Sequence, residues 1–181
     1  MSTLRFSVLM GMIVTAAIAR IIPHPPNFTP IISLALFGGA YLENKRTAFF
    51  VPLAAMILSD LLLWALEGYS VFNVMRLVVY GSFAVITAMG LLLNGKINVL
   101  NVAGASVGGS VFFFLVTNLA VWLGGKLYPM DWSGLIACYV AAIPFFQNTL
   151  LSSLVYSALL FGGFEIVSRK FPAVARGKVP A

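Results

Sequence analysis

An all-α integral membrane protein, a bundle of six transmembrane helices, is the fold class this sequence predicts. Three observations carry that prediction. Hydrophobic residues make up 61% of the 181 and charged residues only 9%, whereas a soluble domain carries roughly 25% charged residues. The mean hydropathy is +1.01, and the chain has too few polar groups to cover itself in water. The apolar runs are long and continuous, without the alternation of barrel strands. A crossing helix needs about 20 largely apolar residues, so the length accommodates about five to seven crossings.

Taken in order, helix 1 is expected over about residues 4–22, where Gly11, Thr15 and Ala19 recur every fourth position as a small-residue stripe. Such a stripe serves packing within the bundle or docking of a partner, and both readings stay open. The apolar N-terminus has no small-residue cleavage site, so it reads as a retained helix rather than a signal peptide. The connector His24-Pro25-Pro26-Asn27-Phe28-Thr29-Pro30 follows, with the only histidine of the chain and three of its nine prolines. Its prolines lack backbone donors and force extended conformations before them, so no helix passes through. Thr29 before Pro30 reads as an N-cap followed by proline at the first helical position.

Residues 31–42 are apolar but short, weakened near the end by Gly38 and Gly39, and read as a tilted crossing or a re-entrant segment. Helix 3 is expected over about residues 47–66, with Pro52 in its first turns and Asp60 in its second half. Helix 4, about residues 71–93, carries Asn73, Arg76 and Tyr80 on one face. Helix 5 covers about residues 99–123, with glycines at 104, 108 and 109 for close packing and Asn118 later. Residues 135–146 are too short to cross and contain Pro144, which makes them an outer cap. Helix 6 then opens at Gln147 and Asn148 and ends near residue 167. The domain reading is a transmembrane substrate-binding domain over residues 1–168 and a basic, mobile cytoplasmic tail over 169–181.

Basic residues choose the orientation. With the N-terminus in the cytoplasm, Arg5, Lys45, Arg46, Lys96, Arg169, Lys170, Arg176 and Lys178 lie inside. Only Arg20, Arg76 and Lys126 of the 11 lie toward the outside. Both termini are thus expected in the cytoplasm.

In that topology the costly polar groups share the outer side: His24, Asn27, Asp60, Asn73, Arg76, Tyr80, Asn118, Gln147 and Asn148. An ionisable group at membrane depth costs about 2.5–3.5 kcal/mol on insertion scales, so it faces the bundle interior, pairs or lines a site. The set reads as an outward-facing cavity for a partly polar small molecule. An Asp60–Arg76 salt bridge that only pins helices 3 and 4 is the competing reading.

Catalysis is not expected. One histidine, no paired carboxylates and no HExxH leave little acid–base chemistry, and the glycines of residues 104–110 lack a Walker lysine. The single cysteine, Cys138, excludes an internal disulfide and multi-cysteine metal sites. No prosthetic group, bound metal or nucleic-acid partner is implied.

The segments HPPNFTPIISLALFGGAYL, FFVPLAAMILSDLLL, NLAVWL and GLIACYVAAIPFFQNTLLSSLVYSALLFG resemble a bacterial family of small membrane proteins. That family is similar in turn to the S components of energy-coupling factor (ECF) vitamin transporters, in particular the solitary cobalamin-binding BtuM type. The resemblance implies a six-helix bundle with a substrate pocket toward the outside. By position, His24, Asp60 and Tyr80 match family pocket residues, and Gln147 stands where an arginine is common. The Gly11, Thr15 and Ala19 stripe is similar to the face that docks the ECF coupling module. Where the BtuM type places a cobalt-ligating cysteine, this chain has Met75 or a neighbour, a soft but neutral ligand. The resemblance thus implies uptake of a vitamin-sized molecule, with cobalamin or a related corrinoid as the leading transported ligand. A non-transporting scaffold whose polar residues only pack helices is the alternative.

Overall fold

A computed structural model describes residues 2–68 and 73–175. The expected start of helix 4 at residue 71, and the basic residues Arg176 and Lys178, lie outside the described residues. The elements are α1 (Thr3–Ala19), α2 (Ile31–Tyr41), α3 (Lys45–Glu67), α4 (Val74–Leu92), α5 (Val99–Leu123) and α6 (Trp132–Ser157), with α6 continuing through a π-helical turn (Ala158–Gly162) into α7 (Gly163–Lys170). Among the described residues four stretches are long and apolar enough to cross a membrane: Lys45–Leu66, Val74–Leu92, Val99–Leu123 and Trp132–Lys170. The helices Thr3–Ala19 and Ile31–Tyr41 are apolar but shorter.

α2 is the axis of the bundle. Residues Ile32 to Tyr41 are all buried, and α2 packs against α1, α3, α4, α5 and α6. At about 1.5 Å per residue its 11 residues reach only about 16 Å, roughly half the apolar thickness of a bilayer. Gly38 and Gly39 do not loosen this helix but let its neighbours approach. A Cβ at Gly39 would stand 2.3 Å from the Thr87 carbonyl, and one at Gly90 would stand 2.5 Å from the Leu36 carbonyl, so α2 and α4 meet backbone to backbone. A Cβ at Gly38 would strike the Pro52 ring of α3 at 2.2 Å. Helix α2 starts one residue later than expected, with Pro30 at the N-cap position and no side-chain cap from Thr29.

End contacts set the direction of each helix. Ser2 donates to the Ala173 carbonyl and Arg5 to the Val174 carbonyl at 3.0 Å, so the two ends of the described chain meet. The buried Arg5 guanidinium also lies 5.1 Å from the Phe164 ring. Residues 171–175 are therefore docked by the buried Val174 rather than being part of a mobile tail. We call this the terminal end and the opposite one, which bears residues 20–30, the connector end.

The expectation of a separate cap over residues 135–146 is corrected: α6 runs unbroken past Pro144, and helix 6 does not open at Gln147. Proline removes one backbone donor, leaving the Val140 carbonyl without its helical partner. Packing of α5 along α6 holds the rest of the helix in line. Asp131 caps the start of α6: its Oδ1 accepts from the Gly134 N–H at 2.7 Å and the Ser133 hydroxyl at 2.8 Å. Those two donors hold its carboxyl below the ordinary carboxylate value.

The α2–α4 contact generates a test. Gly90→Ala should lower stability by about 1–3 kcal/mol through overpacking against backbone, read as a drop in the thermal midpoint of detergent-purified protein. Gly11→Ala, with nothing within 4 Å of the added carbon, should leave that midpoint unchanged.

Candidate functional site

The polar residues expected to share one cavity separate into two neighbouring arrangements at the connector end. The first is a charged cluster where α1, α3 and α4 meet. Arg20, the C-cap residue of α1, donates Nη2 to Asp60 Oδ1 at 2.6 Å. Its Nη1 donates to the Met56 carbonyl at 3.2 Å and to the Ser59 hydroxyl. Arg76 in the first turn of α4 reaches Asp60 Oδ2 at 2.8 Å, and the Tyr80 hydroxyl donates to the same oxygen at 2.8 Å. Asp60 and Arg20 are buried, at 1% and 5% exposure, while the Arg76 side chain keeps 25%. The Asp60–Arg76 bridge weighed from the sequence is thus present, with Arg20 as a second cation.

The second arrangement is a cavity of about 220 Å³ beneath the connector, between α4, α5 and α6. Asn27, Met75, Val79, Thr117, Asn118 and Phe146 are among the residues that line it. Asn27 adopts a left-handed conformation, φ 62°, which a short polar side chain tolerates. Asn148 Nδ2 donates to the Pro26 carbonyl at 2.9 Å and so ties the connector down onto α6. Met75 and Val79 face the cavity, while Arg76 and Tyr80, about 100° further round α4, face Asp60.

Three expected residues stand apart from both. His24 and Gln147 are exposed, on the connector and on the middle of α6. Asn73 is the N-cap of α4, its Oδ1 accepting from the Arg76 N–H at 2.9 Å. His24, Asp60, Tyr80 and Gln147 therefore do not line one pocket. Arg20 is the site residue the sequence reading missed. The signal was an arginine closing an apolar helix with no acidic residue near it in sequence.

Gly11 and Thr15 are exposed and Ala19 is partly so. The stripe lies outside the bundle and does not pack within it.

A larger cavity, about 560 Å³, lies at the terminal end, lined by Tyr41, Asn98, Ser106, Ser157, Phe161 and Glu165 among others. Among the described residues no group of three or more His, Cys, Asp or Glu is placed to hold a metal ion.

These features define a polytopic helical membrane protein with a buried charged cluster beside a small cavity. The chain belongs to a family of unknown function, DUF6580, whose model matches residues 1–174. No curated protein and no solved structure matches it.

The cluster also makes a prediction. Asp60→Asn leaves two guanidiniums without their counter-charge and should cost about 3–5 kcal/mol of stability. A double variant, Arg20→Met with Asp60→Leu, should recover much of that loss in thermal unfolding, because a buried pair is replaceable by apolar side chains of similar size.

Proposed function

We propose that this chain is a membrane-embedded substrate-binding protein that captures a vitamin-sized molecule from the connector side for uptake. The carrying observation is the cavity of about 220 Å³, where a proline-stiffened connector and three helices bring Asn27, Thr117 and Asn118 among aromatic and aliphatic side chains. A few fixed polar groups in an apolar wall orient a ligand, and a stiff connector reduces the ordering cost of binding. Pockets that enclose drug-sized ligands measure about 300–1,000 Å³. The cavity therefore suits a molecule well below a corrinoid in size, unless the connector lifts away. Cobalamin, the leading ligand by resemblance, requires that movement, and His24 and Met75 are the residues nearest in role to a metal ligand.

In this reading α1 and α2 complete six crossings of a bacterial inner membrane with both termini in the cytoplasm. Two observations support it. The meeting of Ser2 with Ala173 supports an even number of passes. Lys45, Arg46, Lys96 and Arg169 are exposed at the terminal end, whereas Arg20 and Arg76 at the connector end are both bonded to Asp60. The exposed Gly11 and Thr15 face is compatible with docking an ECF-type coupling module. The scaffold alternative is favoured by one observation: both oxygens of Asp60 are used inside the protein.

Two measurements test the reading. Met75→Trp, which fills the cavity, should remove a ligand that mass spectrometry detects in extracts of the purified wild-type protein, while Gln147→Ala retains it. No retained ligand, and no binding across a panel of vitamins, would establish the scaffold. For orientation, a thiol at Lys126→Cys should be labelled from outside intact spheroplasts, since native Cys138 is buried; labelling only after permeabilisation reverses the topology.

A further inference from the structure

We infer that the Arg20–Asp60–Arg76 cluster receives an oxyanion, a carboxylate or a phosphate, on the open edge of the Arg76 guanidinium. This deepens the capture reading, on which it rests, by assigning a negative charge to the ligand.

The charges do not balance. Among the described residues, two guanidiniums share one carboxylate. Both oxygens of Asp60 are engaged: Oδ1 accepts from Arg20, and Oδ2 accepts from Tyr80 and is ion-paired with Arg76. A guanidinium carries five N–H groups. The Arg76 side chain makes one bond, through Nη1, and its Nε and Nη2 have no partner among the described residues. Behind it, the Nε of Arg20 is buried and without a hydrogen-bond partner. A plain structural pin needs one cation per carboxylate. The second cation adds desolvation cost and leaves uncompensated charge near the membrane.

An oxyanion resolves that imbalance. The Nε–Nη2 edge of an arginine matches two oxygens of a carboxylate or phosphate in a bidentate fork. The Arg76 side chain is one-quarter exposed and so is open to a ligand, while Arg20 at 6% side-chain exposure acts from behind as fixed charge. Arg76 also lies in the first turn of the 19-residue α4, where the helix dipole favours an anion. The adjoining face of α4 carries Met75 and Val79 of the cavity. An anionic group on a soluble ligand and the headgroup of an acidic lipid share this chemistry.

The test uses the full chain in uncharged detergent, titrated calorimetrically with sodium phosphate and with sodium butyrate at constant ionic strength, and with glucose as the uncharged control. A second arm compares thermal midpoints in nanodiscs of phosphatidylglycerol and of phosphatidylcholine. Saturable binding of phosphate or butyrate identifies a soluble ligand, and a higher midpoint in phosphatidylglycerol alone identifies a lipid. In either case Arg76→Gln should weaken the response about tenfold or more, and Lys126→Gln should not change it. Equal responses from wild type and Arg76→Gln, or no saturable anion effect in either arm, overturn the inference. Should Arg76→Gln not fold, the wild-type contrast between anions and glucose still decides. A retained neutral ligand unaffected by Arg76→Gln would overturn the anion site and leave the capture reading standing. Phosphate binding in a chain that retains no ligand and binds no vitamin would do the reverse.

Discussion

Everything in this bundle is arranged around a helix that is enclosed on all sides. α2 presents no face outward: from Ile32 to Tyr41 every residue is buried. Apolar burial gives little driving force between helices within a bilayer, where lipid tails are as apolar as leucine, and close packing takes its place. The packing is carried by small residues at defined heights. Gly39 and Gly90 bring α2 and α4 to backbone contact, and Gly38 receives the ring of Pro52 from α3. These contacts leave little freedom in the rotation of α4. That rotation places Arg76 and Tyr80 over Asp60, and Met75 and Val79 over the cavity. A site assembled from distant parts of the sequence thus inherits its geometry from glycines that never touch it.

The charged cluster joins three helices that also pack on the axis. Arg20 comes from the end of α1, Asp60 from α3 and Arg76 from α4. A buried carboxylate with two cations is weak evidence of stability, because desolvation offsets most of the attraction. Its consequence is specificity of arrangement: only one register of α1 brings the arginine at its C-cap to Asp60. The same pairing alters the charge pattern. Two of the three basic residues expected at the connector end, Arg20 and Arg76, are thereby paired with one acid.

Much of the helical layout was legible in the sequence, since long apolar runs bounded by turn residues follow directly from backbone satisfaction in lipid. α5 runs over the expected residues 99–123, because Asn98 and Gly124 bound it. What was not legible has specific causes. Pro144 looked like a boundary, but a single missing donor does not end a helix that is packed along its length. Gly38 and Gly39 looked like weak points, because a sequence does not show which glycines face a neighbouring backbone. An Asp60–Arg76 pair is weighed from the sequence and Tyr80 is set on the face of Arg76, yet Arg20 is not joined to them, since its partner lies 40 positions away. His24 and Gln147 were grouped with them by side alone, and side does not determine facing. The docking of residues 171–175 rests on buried Arg5 and Val174, and a basic, proline-containing segment gives no sign of that.

The seam between α5 and α6 shows how the two cavities are kept apart. At the connector end it is open around Thr117, Asn118 and Phe146; at the terminal end it is open around Asn98, Val102 and Ala158, with Ser106 and Ser157 also lining that cavity. Between them buried hydroxyls close the gap. Ser110 and Ser153 pair at 2.8 Å, Ser106 and Ser157 at 2.8 Å, and Ser157 bonds Ser33 of α2 at 3.1 Å. Ser33 in turn donates to the Ser153 carbonyl at 2.8 Å, tying the seam to the axial helix. Polar bonds between membrane helices average only about 0.6 kcal/mol each. The closure is therefore a sum of small terms, none dominant, in contrast to the single charged cluster that holds α1, α3 and α4. Just beyond it the π-helical turn at Ala158–Gly162 lines the larger cavity. Such turns mark places where a helix departs from its regular bonding. The connector end is thus stiffened by charge and proline, and the terminal end is held by hydroxyls and an irregular helix.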